Sequence, residues 1–326
     1  MKKNTDNIMT CASFFAGVGG IDLGFEQTEK FKILYANEFD RYPVMTYNEN
    51  FGIKADCKDI RDVNPSDFPD VDVIMGGFPC QAFSIAGKRE GFDDEKGRGT
   101  LFFEMLRLIK SKRPKAVFFE NVKNLVSHDN GNTFKVIMKS LKDAGYYCDS
   151  LVMNAMDYGN IPQNRERIYI VGFRNKDHLK KFRFPDPIIL TTPLSDIIDF
   201  SNKVDDKYYY TPGKYANNLY EKLDAAMDDS EAVYQWRRKY VRKNKSGVIP
   251  TLTANQGEGG HNVCLIRTKY GIRKMTPAEC FYAQGFPKTF TLPEIADSRL
   301  YKQAGNSVCV SVIRRIAEQM ALAMED

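Results

Sequence analysis

The sequence predicts an α/β protein with a mostly parallel, doubly wound sheet, helices on both faces of that sheet, and a second, smaller domain. Short apolar runs alternate with longer helical patterns as far as Phe184. This alternation is typical of a parallel sheet whose strands are joined by crossover helices. From Pro185 to about Tyr270 the rhythm stops and prolines, tyrosines and glycine-rich loops take over, which indicates a separate smaller domain.

The individual elements follow from residue type and periodicity. β-Branched and aromatic residues predict strands at residues 10–15, 32–36, 71–75, 116–119, 150–154 and 168–173. Apolar residues that recur every three or four positions predict helices at residues 21–28, 42–50, 100–112, 133–145, 276–284 and 308–324. Ligands of such sheets bind at the carboxyl ends of the strands, so the turns there are the first places to look for a site.

Composition excludes several classes of protein. The chain has 326 residues, of which 43% are hydrophobic and 27% charged, and this is ample for a globular core. No charge-free stretch is longer than that of residues 73–87, which is too short to span a bilayer, and the amino terminus lacks the apolar segment of an export signal. The seven cysteines form no CxxC pair, so neither a disulfide framework nor a metal site is expected. We expect a cytoplasmic protein that makes no membrane contact.

The charge is unevenly distributed. The whole chain has a net charge of only +5, yet residues 201–275 hold 14 Lys plus Arg against 8 Asp plus Glu. Six basic residues alternate with aromatic residues in WRRKYVRKNK at residues 236–245. The next loop, PTLTANQGEGG at residues 250–260, is rich in short hydrogen-bonding side chains. Such a run is often only a solvated face, but together these segments favour a surface that binds phosphates and base edges.

A glycine-rich turn and two carboxylates indicate a nucleoside site. FFAGVGG at residues 14–20 joins the first strand to the first helix, Glu38 ends the second strand, and Asp59 precedes the third. Asp22 stands where a dinucleotide fingerprint needs a small residue, and no phosphate-binding GxxxxGK[ST] motif is present. A nucleoside cofactor without a phosphate, such as S-adenosylmethionine, suits these residues better; a purely structural turn is the alternative.

Cys80 and Glu120 follow two strands that we expect to be neighbours. Cys80 lies in GGFPCQ, a run of turn-forming residues in which a thiol is partly exposed and able to act as a nucleophile. Glu120 follows two phenylalanines, and a partly desolvated carboxyl is suited to proton donation. A buried inert cysteine and a surface glutamate are the structural alternatives.

Two arginines enter the last predicted strand. Arg165 and Arg167 alternate with Glu166 in QNRER at residues 163–167. On one strand their side chains share a face, where two guanidinium groups bind a carboxylate, a phosphate or a carbonyl oxygen. The alternative is a solvated charged edge.

In this order, the motifs resemble those of the cytosine-5 DNA methyltransferases of bacterial restriction–modification systems. The resemblance covers nearly the whole chain, and the motifs that carry it are FFAGVGG, NEF, KDI, GGFPCQAFSIAG, RGTLFFE, FFENVKNL, DYGNIPQNRERIYIVGF, RKMTPAECFYAQGFP and YKQAGNSVCVSVI. It implies an S-adenosylmethionine-dependent, Rossmann-like catalytic domain at residues 1–186, completed by residues 300–326. A target-recognition domain is implied at residues 187–299. Ser13 and Phe14 depart from the Asp-Leu pair that is common in the family.

The resemblance also implies residue roles. Cys80 matches the nucleophile, Glu120 the acid that binds the cytosine ring, and Arg165 and Arg167 the arginines that orient the base and the loop. The residues implied for binding S-adenosylmethionine, and its product S-adenosylhomocysteine, are Phe15, Gly17, Gly19, Gly20, Glu38, Asp59, Ile60, Pro79, Asn306, Ser307 and Val308.

Double-stranded DNA is the implied partner. The segment after the nucleophile is expected to cover a flipped-out cytosine, and the basic run and its following loop are expected to contact the duplex. The expected DNA-binding residues are Ser84, Lys88, Arg89, Arg98, Arg238, Tyr240, Arg242, Thr251, Thr253 and Asn255. We expect a monomer whose cognate restriction endonuclease, if the system has one, needs no physical contact with it.

Three other functions compete with this interpretation. An RNA cytosine-5 methyltransferase shares the same motifs, but the FPCQ form and the long recognition segment favour DNA. A non-catalytic DNA-binding regulator would not need Cys80, Glu120 and a cofactor set. A nicotinamide dehydrogenase is disfavoured by Asp22 and because His128, His178 and His261 all lie outside the motifs.

Overall fold

The computed structural model describes residues 8–79, 101–237, 239–244, 247–256 and 263–325. Within them the chain forms two compact units. The first comprises residues 1–153, 166–186 and 312–326, and the second comprises residues 154–165 and 187–311. Their assignment as catalytic and target-recognition domains stays a prediction.

The strands of the described chain follow in sequence order. They are β1 Met9–Phe14, β2 Phe31–Asn37, β3 Val73–Gly76, β4 Ala116–Val122, β5 Tyr147–Asn154, β6 Gln163–Asn164, β7 Glu166–Phe173, β8 Val233–Trp236, β9 Val241–Lys243, β10 Ile249–Pro250, β11 Cys264–Thr268 and β12 Gly271–Lys274.

The helices of the described residues also follow in sequence order. They are α1 Gly20–Glu26, α2 Arg41–Asn50, α3 Leu101–Lys112, α4 Asn132–Asp143, α5 Ala155–Tyr158, α6 Lys176–Lys181, α7 Leu219–Ala226, α8 Pro277–Tyr282, α9 Asp297–Asn306 and α10 Val310–Met324. Several short 3-10 turns lie between them, among them residues 60–62.

A six-stranded sheet forms the centre of the first unit, in the order β2-β1-β3-β4-β7-β5. The first four strands pair in parallel, whereas β7 is antiparallel to β4. Parallel pairing brings the carboxyl ends of β1, β2, β3 and β4 to one edge. The turns that follow Phe14, Asn37, Gly76 and Val122 therefore lie along the same edge of the sheet.

Helices cover both faces of this sheet. Phe118 of β4 packs against Phe25 of α1, with ring centroids 5.3 Å apart, and the next residue, Phe119, packs against Phe102 of α3 at 5.9 Å. Since neighbouring residues of a strand point to opposite faces, α1 and α3 lie on opposite sides of the sheet. The predicted fold class is confirmed for this unit.

The second unit is built around a four-stranded antiparallel sheet in the order β12-β11-β8-β9. Its core contains Leu223 of α7 with Tyr234, Leu265 and Ile272 of the sheet. A buried ion pair fixes the start of α8: Arg273 donates to both carboxylate oxygens of Glu279, at 2.7 and 2.8 Å. The predicted smaller domain thus has its own sheet, which the sequence pattern did not reveal.

None of the helices among the described residues is both long enough and apolar enough to cross a bilayer.

Candidate active site

The turn after β1 uses backbone conformations that favour glycine. Phe15, Gly17 and Gly19 have φ angles of 53°, 55° and 83°. A Cβ at Gly19 would lie 2.3 Å from the ring of Phe51, which stacks on Tyr47. Glycine is therefore required at position 19 both for its left-handed conformation and for the space that the aromatic pair occupies.

Three backbone N–H groups of this turn are bonded within the first unit. Ala16 N donates to Asn37 O at 3.0 Å, Gly17 N donates to Glu38 Oε2 at 3.0 Å, and Gly19 N donates to Ala16 O at 2.8 Å. A phosphate-binding turn instead directs its N–H groups at the ligand. The turn therefore suits a nucleoside that carries no phosphate, as the sequence predicts.

Glu38 lies at the carboxyl end of β2 and is nearly buried. Its second carboxylate oxygen, Oε1, accepts from Asp40 N at 2.9 Å. Burial raises the pKa of Glu38, and the hydrogen bonds from Asp40 and Gly17 oppose that rise. A carboxylate has about four lone-pair sites, more than the three backbone N–H groups of Asp40, Gly17 and Phe39 occupy, so Glu38 can still accept from a ribose hydroxyl group.

Phe39 is a candidate site residue that sequence reasoning missed. It directly follows Glu38, yet 70% of its surface is exposed, which is unusual for a phenylalanine beside a buried carboxylate. An exposed ring next to a ribose-binding group offers a face on which an adenine can stack. Only the position of Phe39 in the NEF motif could have indicated this.

Asp59 and Ile60 lie at a 3-10 turn between α2 and β3, and Asn37 at the end of β2 donates to the carbonyl of the preceding Lys58 at 2.8 Å. Asp59 caps the turn and pairs with Arg61 at 2.6 Å, and the hydrogen bond from the Arg61 side chain lowers the pKa of Asp59. Ile60 is buried, and its carbonyl accepts from Arg107 of α3. The turn is thus held firmly in place beside the carboxyl end of β2.

Asp22 is a fully buried carboxyl under the glycine turn. Ser13 Oγ donates to one of its oxygens at 2.8 Å and Tyr47 Oη to the other at 2.9 Å. Burial nevertheless raises the pKa of Asp22 to about 6. This contact explains why Ser13 departs from the aspartate common in the family, because an aspartate at position 13 would set two carboxylates against each other.

The segment after β3 is tied to β4. Asn121 Nδ2 donates to Phe78 O at 2.7 Å, and a Cβ at Gly77 would lie 3.3 Å from Glu120 Oε2. Pro79 follows as an exposed residue. Asn121 therefore holds the chain two residues before Cys80, although its place in the FFENVKNL motif had not indicated this role. Cys80 itself lies outside the described residues.

Glu120 and Arg167 form an ion pair across β4 and β7. Arg167 Nε lies 3.1 Å from Glu120 Oε1, and both side chains are largely buried. The guanidinium fixes the carboxyl beside Gly77, at the carboxyl end of β3. The expectation that β3 and β4 are neighbours is confirmed, whereas the approach of Glu120 to Cys80 stays a prediction.

The interpretation that Arg165 and Arg167 lie on one strand is wrong. Arg165 falls between β6 and β7, because its backbone bonds to residues 154 and 155 instead of a neighbouring strand: Ala155 N donates to Arg165 O at 2.9 Å, and Arg165 N donates to Asn154 Oδ1 at 2.9 Å. Its guanidinium donates to the carbonyls of Leu252, Gly305 and Ser307. The two arginines therefore bind different partners.

The second unit holds the remaining predicted cofactor residues. Asn306 ends α9 and is exposed, whereas Ser307 and Val308 are buried. Gln163 and Gln284, both fully buried, bond to the backbone around them and carried no signal in the sequence beyond their motifs. Among Asn306, Ser307 and Val308, only Asn306 has an exposed side chain.

The predicted DNA-binding residues of this unit lie on a hairpin and a loop. Arg237 N donates to Tyr240 O across the turn between β8 and β9, and Tyr240 is 59% exposed. Arg242 is exposed on β9, and Thr251, Thr253 and Asn255 follow β10 with at least part of their surface exposed. Ser84, Lys88, Arg89, Arg98 and Arg238, like Cys80, lie outside the described residues.

Known proteins resemble this chain over almost its full length. Residues 9–322 match the family described as C-5 cytosine-specific DNA methylase. The Type II methyltransferase M.Bsp6I of Bacillus sp. (strain RFL6) is 59% identical, over 97% of this chain and the whole of that protein. The Type II methyltransferase M1.ScrFI of Lactococcus lactis subsp. cremoris is 42% identical, over 95% of this chain and 77% of that protein.

A solved structure shares the fold. A mutant of DNMT2 from Spodoptera frugiperda superposes with a TM-score of 0.73 over 97% of this chain and 100% of that chain, at 20% identity. At that identity the likeness supports the fold alone. The family match and the two similar methyltransferases show that the chain belongs to the C-5 cytosine-specific DNA methylase family and is a cytosine-5 DNA methyltransferase of the restriction–modification type.

Proposed function

We propose that the protein methylates C5 of one cytosine within a short specific site of duplex DNA, through a covalent bond between Cys80 and C6 of the base. The observation that carries this proposal is the Glu120–Arg167 ion pair, set beside the segment that leads to Cys80. It places a fixed carboxyl where the Cys80 loop begins.

The chemistry requires both groups. Carbon C5 of cytosine is a poor nucleophile, so the Cys80 thiolate first adds to C6 and forms a sulfur–carbon bond. Glu120, hydrogen-bonded or donating a proton at N3, accommodates the electron pair that this addition pushes into the ring. C5 then has enamine character. S-adenosylmethionine, when bound, supplies the electrophilic methyl group; loss of the C5 proton and expulsion of the Cys80 thiolate afterwards restore the aromatic ring.

Neighbouring residues position these groups. Arg167 holds the Glu120 carboxyl, and Asn121 holds Phe78, two residues before the thiol. Addition to C6 needs the sulfur and the carbon within about 3–3.5 Å, so small shifts of either group are costly. Arg167 and Asn121 thus act on the geometry of the reaction.

The cofactor proposal rests on donors and acceptors that fit. Glu38 offers an oriented carboxylate to ribose hydroxyls, Phe39 an exposed ring to adenine, and the glycine turn a backbone with no bulky side chain. Phe15, Gly17, Gly19, Gly20, Asp59, Ile60 and Pro79 complete the set proposed for the first unit. Asn306, Ser307 and Val308 are proposed to contribute from the second.

The DNA proposal follows from the chemistry of the base. Because C6 is inaccessible inside a duplex, the cytosine must leave the stack, which costs a few kcal/mol. Lys88, Arg89 and Arg98 are proposed to close over it, with Ser84 beside them. Tyr240, Arg242 and the residues after β10 are proposed to contact the duplex, together with Arg238.

The setting of the enzyme is also proposed. Methylation of its own site would protect cellular DNA from a cognate endonuclease that needs no physical contact with this chain. We propose a cytoplasmic, nucleoid-associated monomer.

Methyl transfer tests the function directly. Labelled methyl groups from S-adenosylmethionine should appear in duplex DNA but not in tRNA, and bisulfite sequencing of DNA from expressing cells should show one short methylated site. Cys80→Ser should abolish transfer while S-adenosylhomocysteine still binds, and Cys148→Ser, a change of the same type on β5, should stay active. Transfer to tRNA, or full activity of Cys80→Ser, would contradict the proposal.

A further inference from the structure

The end of helix α9 lies directly against the loop that follows β10. A Cβ at Gly305 would lie 2.2 Å from the carbonyl carbon of Thr253 and 2.5 Å from the nitrogen of Ala254. These are backbone atoms, which cannot rotate away as a side chain can. The close approach therefore depends on glycine at position 305, and a movement of the loop must move the end of α9.

Arg165 binds both segments with one guanidinium group. Its Nη1 donates to Leu252 O at 3.0 Å, and its Nη2 donates to Gly305 O at 3.1 Å and also to Ser307 O. The side chain is 2% exposed, so these bonds form away from solvent. A buried cation at the carboxyl end of α9 is also favoured by the helix dipole.

Two buried glutamines extend the same network. Gln163 accepts from Leu252 N at 3.2 Å and donates to Ala283 O, so it holds the loop from its other side. Gln284 Nε2 donates to Ala304 O at 2.8 Å, and the backbone carbonyl of Gln284 accepts from Val310 N at 2.9 Å. The chain before and after Asn306 is therefore bonded to the same buried residue, Gln284.

We propose that Gln163, Arg165, Gln284 and Gly305 form a positioning frame that makes DNA binding and cofactor binding cooperative. The inference rests on the proposed function, in which Thr251, Thr253 and Asn255 contact DNA and Asn306 to Val308 contact S-adenosylmethionine. Arg165 then acts through the two segments that it holds rather than on the base.

The frame joins two short segments, and each of them contains a residue with an exposed side chain, Asn255 in the loop and Asn306 at the end of α9. A ligand that orders one segment also orders the other, because the Thr253–Gly305 contact and the Arg165 bonds transmit the restriction. The second ligand then loses less conformational entropy when it binds, which gives positive cooperativity.

The experiment measures the coupling between the two ligands in the full-length protein. The dissociation constant of S-adenosylhomocysteine is determined by calorimetry with and without a duplex that carries the site found by bisulfite sequencing. In the wild-type protein we expect the duplex to tighten binding about tenfold, and S-adenosylhomocysteine to tighten duplex binding by the same factor.

Arg165→Lys replaces the fork with a single ammonium, which cannot bind three carbonyls in the same geometry. The coupling factor should fall towards one, while each ligand alone still binds, and the KM for S-adenosylmethionine should rise at saturating DNA. Gly305→Ala should give the same pattern by a different route. Arg267→Lys, the same change at a partly exposed arginine that pairs with Asp224, should keep the wild-type factor.

Circular dichroism and thermal unfolding establish that each variant is folded. A coupling factor that stays at the wild-type value in Arg165→Lys would overturn the frame. A wild-type factor of one, in a protein that still transfers methyl groups, would overturn the frame and leave the proposed function intact. Binding of neither ligand by the wild-type protein would overturn both.

Discussion

Arg167 lies diagonally across the β4–β7 pair from Glu120, with 3.1 Å between Nε and Oε1. Direct cross-strand neighbours are different: Tyr169 faces Glu120, and Val122 faces Arg167. A long guanidinium spans this diagonal distance, which shorter side chains cannot. The position of the carboxyl thus depends on an antiparallel strand inside a mostly parallel sheet.

Loss of this ion pair should slow methyl transfer more than it weakens DNA binding. Arg167→Met keeps the apolar stem and removes the guanidinium, so the Glu120 carboxyl is free to move. We expect the single-turnover rate to fall roughly 100-fold, as for a misplaced catalytic group. Lys123→Met is the matched control, because Lys123, the residue after β4, pairs with Glu166 of β7 but is exposed. Equal losses in the two variants would contradict the role given to Arg167.

Gly19→Ala should destabilise the protein and abolish cofactor binding. Alanine at a φ of 83° is strained, and its Cβ would overlap the Phe51 ring. Together we expect a loss of about 2–4 kcal/mol in the free energy of unfolding. In Gly52→Ala the new Cβ meets no heavy atom within 4 Å, so that variant should unfold and bind S-adenosylhomocysteine like the wild type. Denaturant unfolding and calorimetry check both expectations.

Asp22 should make stability depend on pH. Its pKa is about 6 in the folded protein, against 3.8 for an ordinary aspartate. As pH rises from 4 to 6 the unfolded chain releases this proton first, so the folded state becomes less stable, and the cost is complete above pH 6. Below both pKa values the side chain is neutral in either state and has no effect.

Asp22→Asn removes this titration. The free energy of unfolding of the variant minus that of the wild type should increase by about 2 kcal/mol between pH 4.5 and pH 7.5, because only the wild type loses stability over this range. Urea denaturation at the two pH values measures the difference. A difference between variant and wild type that does not change with pH would show that Asp22 does not titrate in this range.

Removal of the basic groups on the β8–β9 hairpin should weaken DNA binding in a salt-dependent way. If Arg238 and Arg242 each contact a phosphate, the double change to alanine should reduce the slope of log Kd against log salt concentration by about 1.8. Lys243→Ala is the control, since Lys243 on the same hairpin pairs with Asp228 and Asp229. An unchanged slope in the double variant would mean that these arginines face solvent.

Local sequence was sufficient to predict most elements of the first unit. β1, β2 and β4 are runs of apolar residues between turn formers, and the predicted and observed bounds differ by only a few residues. The glycine turn could also be predicted from the sequence, because a left-handed backbone restricts the choice of residue at positions 17 and 19. Such features depend on neighbours close in sequence.

Features that depend on distant partners could not be predicted. The carbonyls that bind Arg165 lie 87, 140 and 142 residues further along the chain, and carbonyl acceptors leave no mark in the sequence. The two-residue period of strands therefore placed Arg165 on the strand of Arg167, which begins one residue after Arg165. The antiparallel sheet of the second unit was missed because its strands are only three to five residues long.

Consecutive residues of β4 contribute to the core on opposite faces of the sheet, since Phe118 faces α1 and Phe119 faces α3. A slip of one residue in its pairing would exchange these layers and turn Glu120 to the opposite face of the sheet. Misfolded forms with shifted registers are therefore both poorly packed and inactive. Selection for a well-packed interior and selection for catalysis therefore act on the same seven residues of β4. A substitution there that changes the packing is also expected to change the position of Glu120.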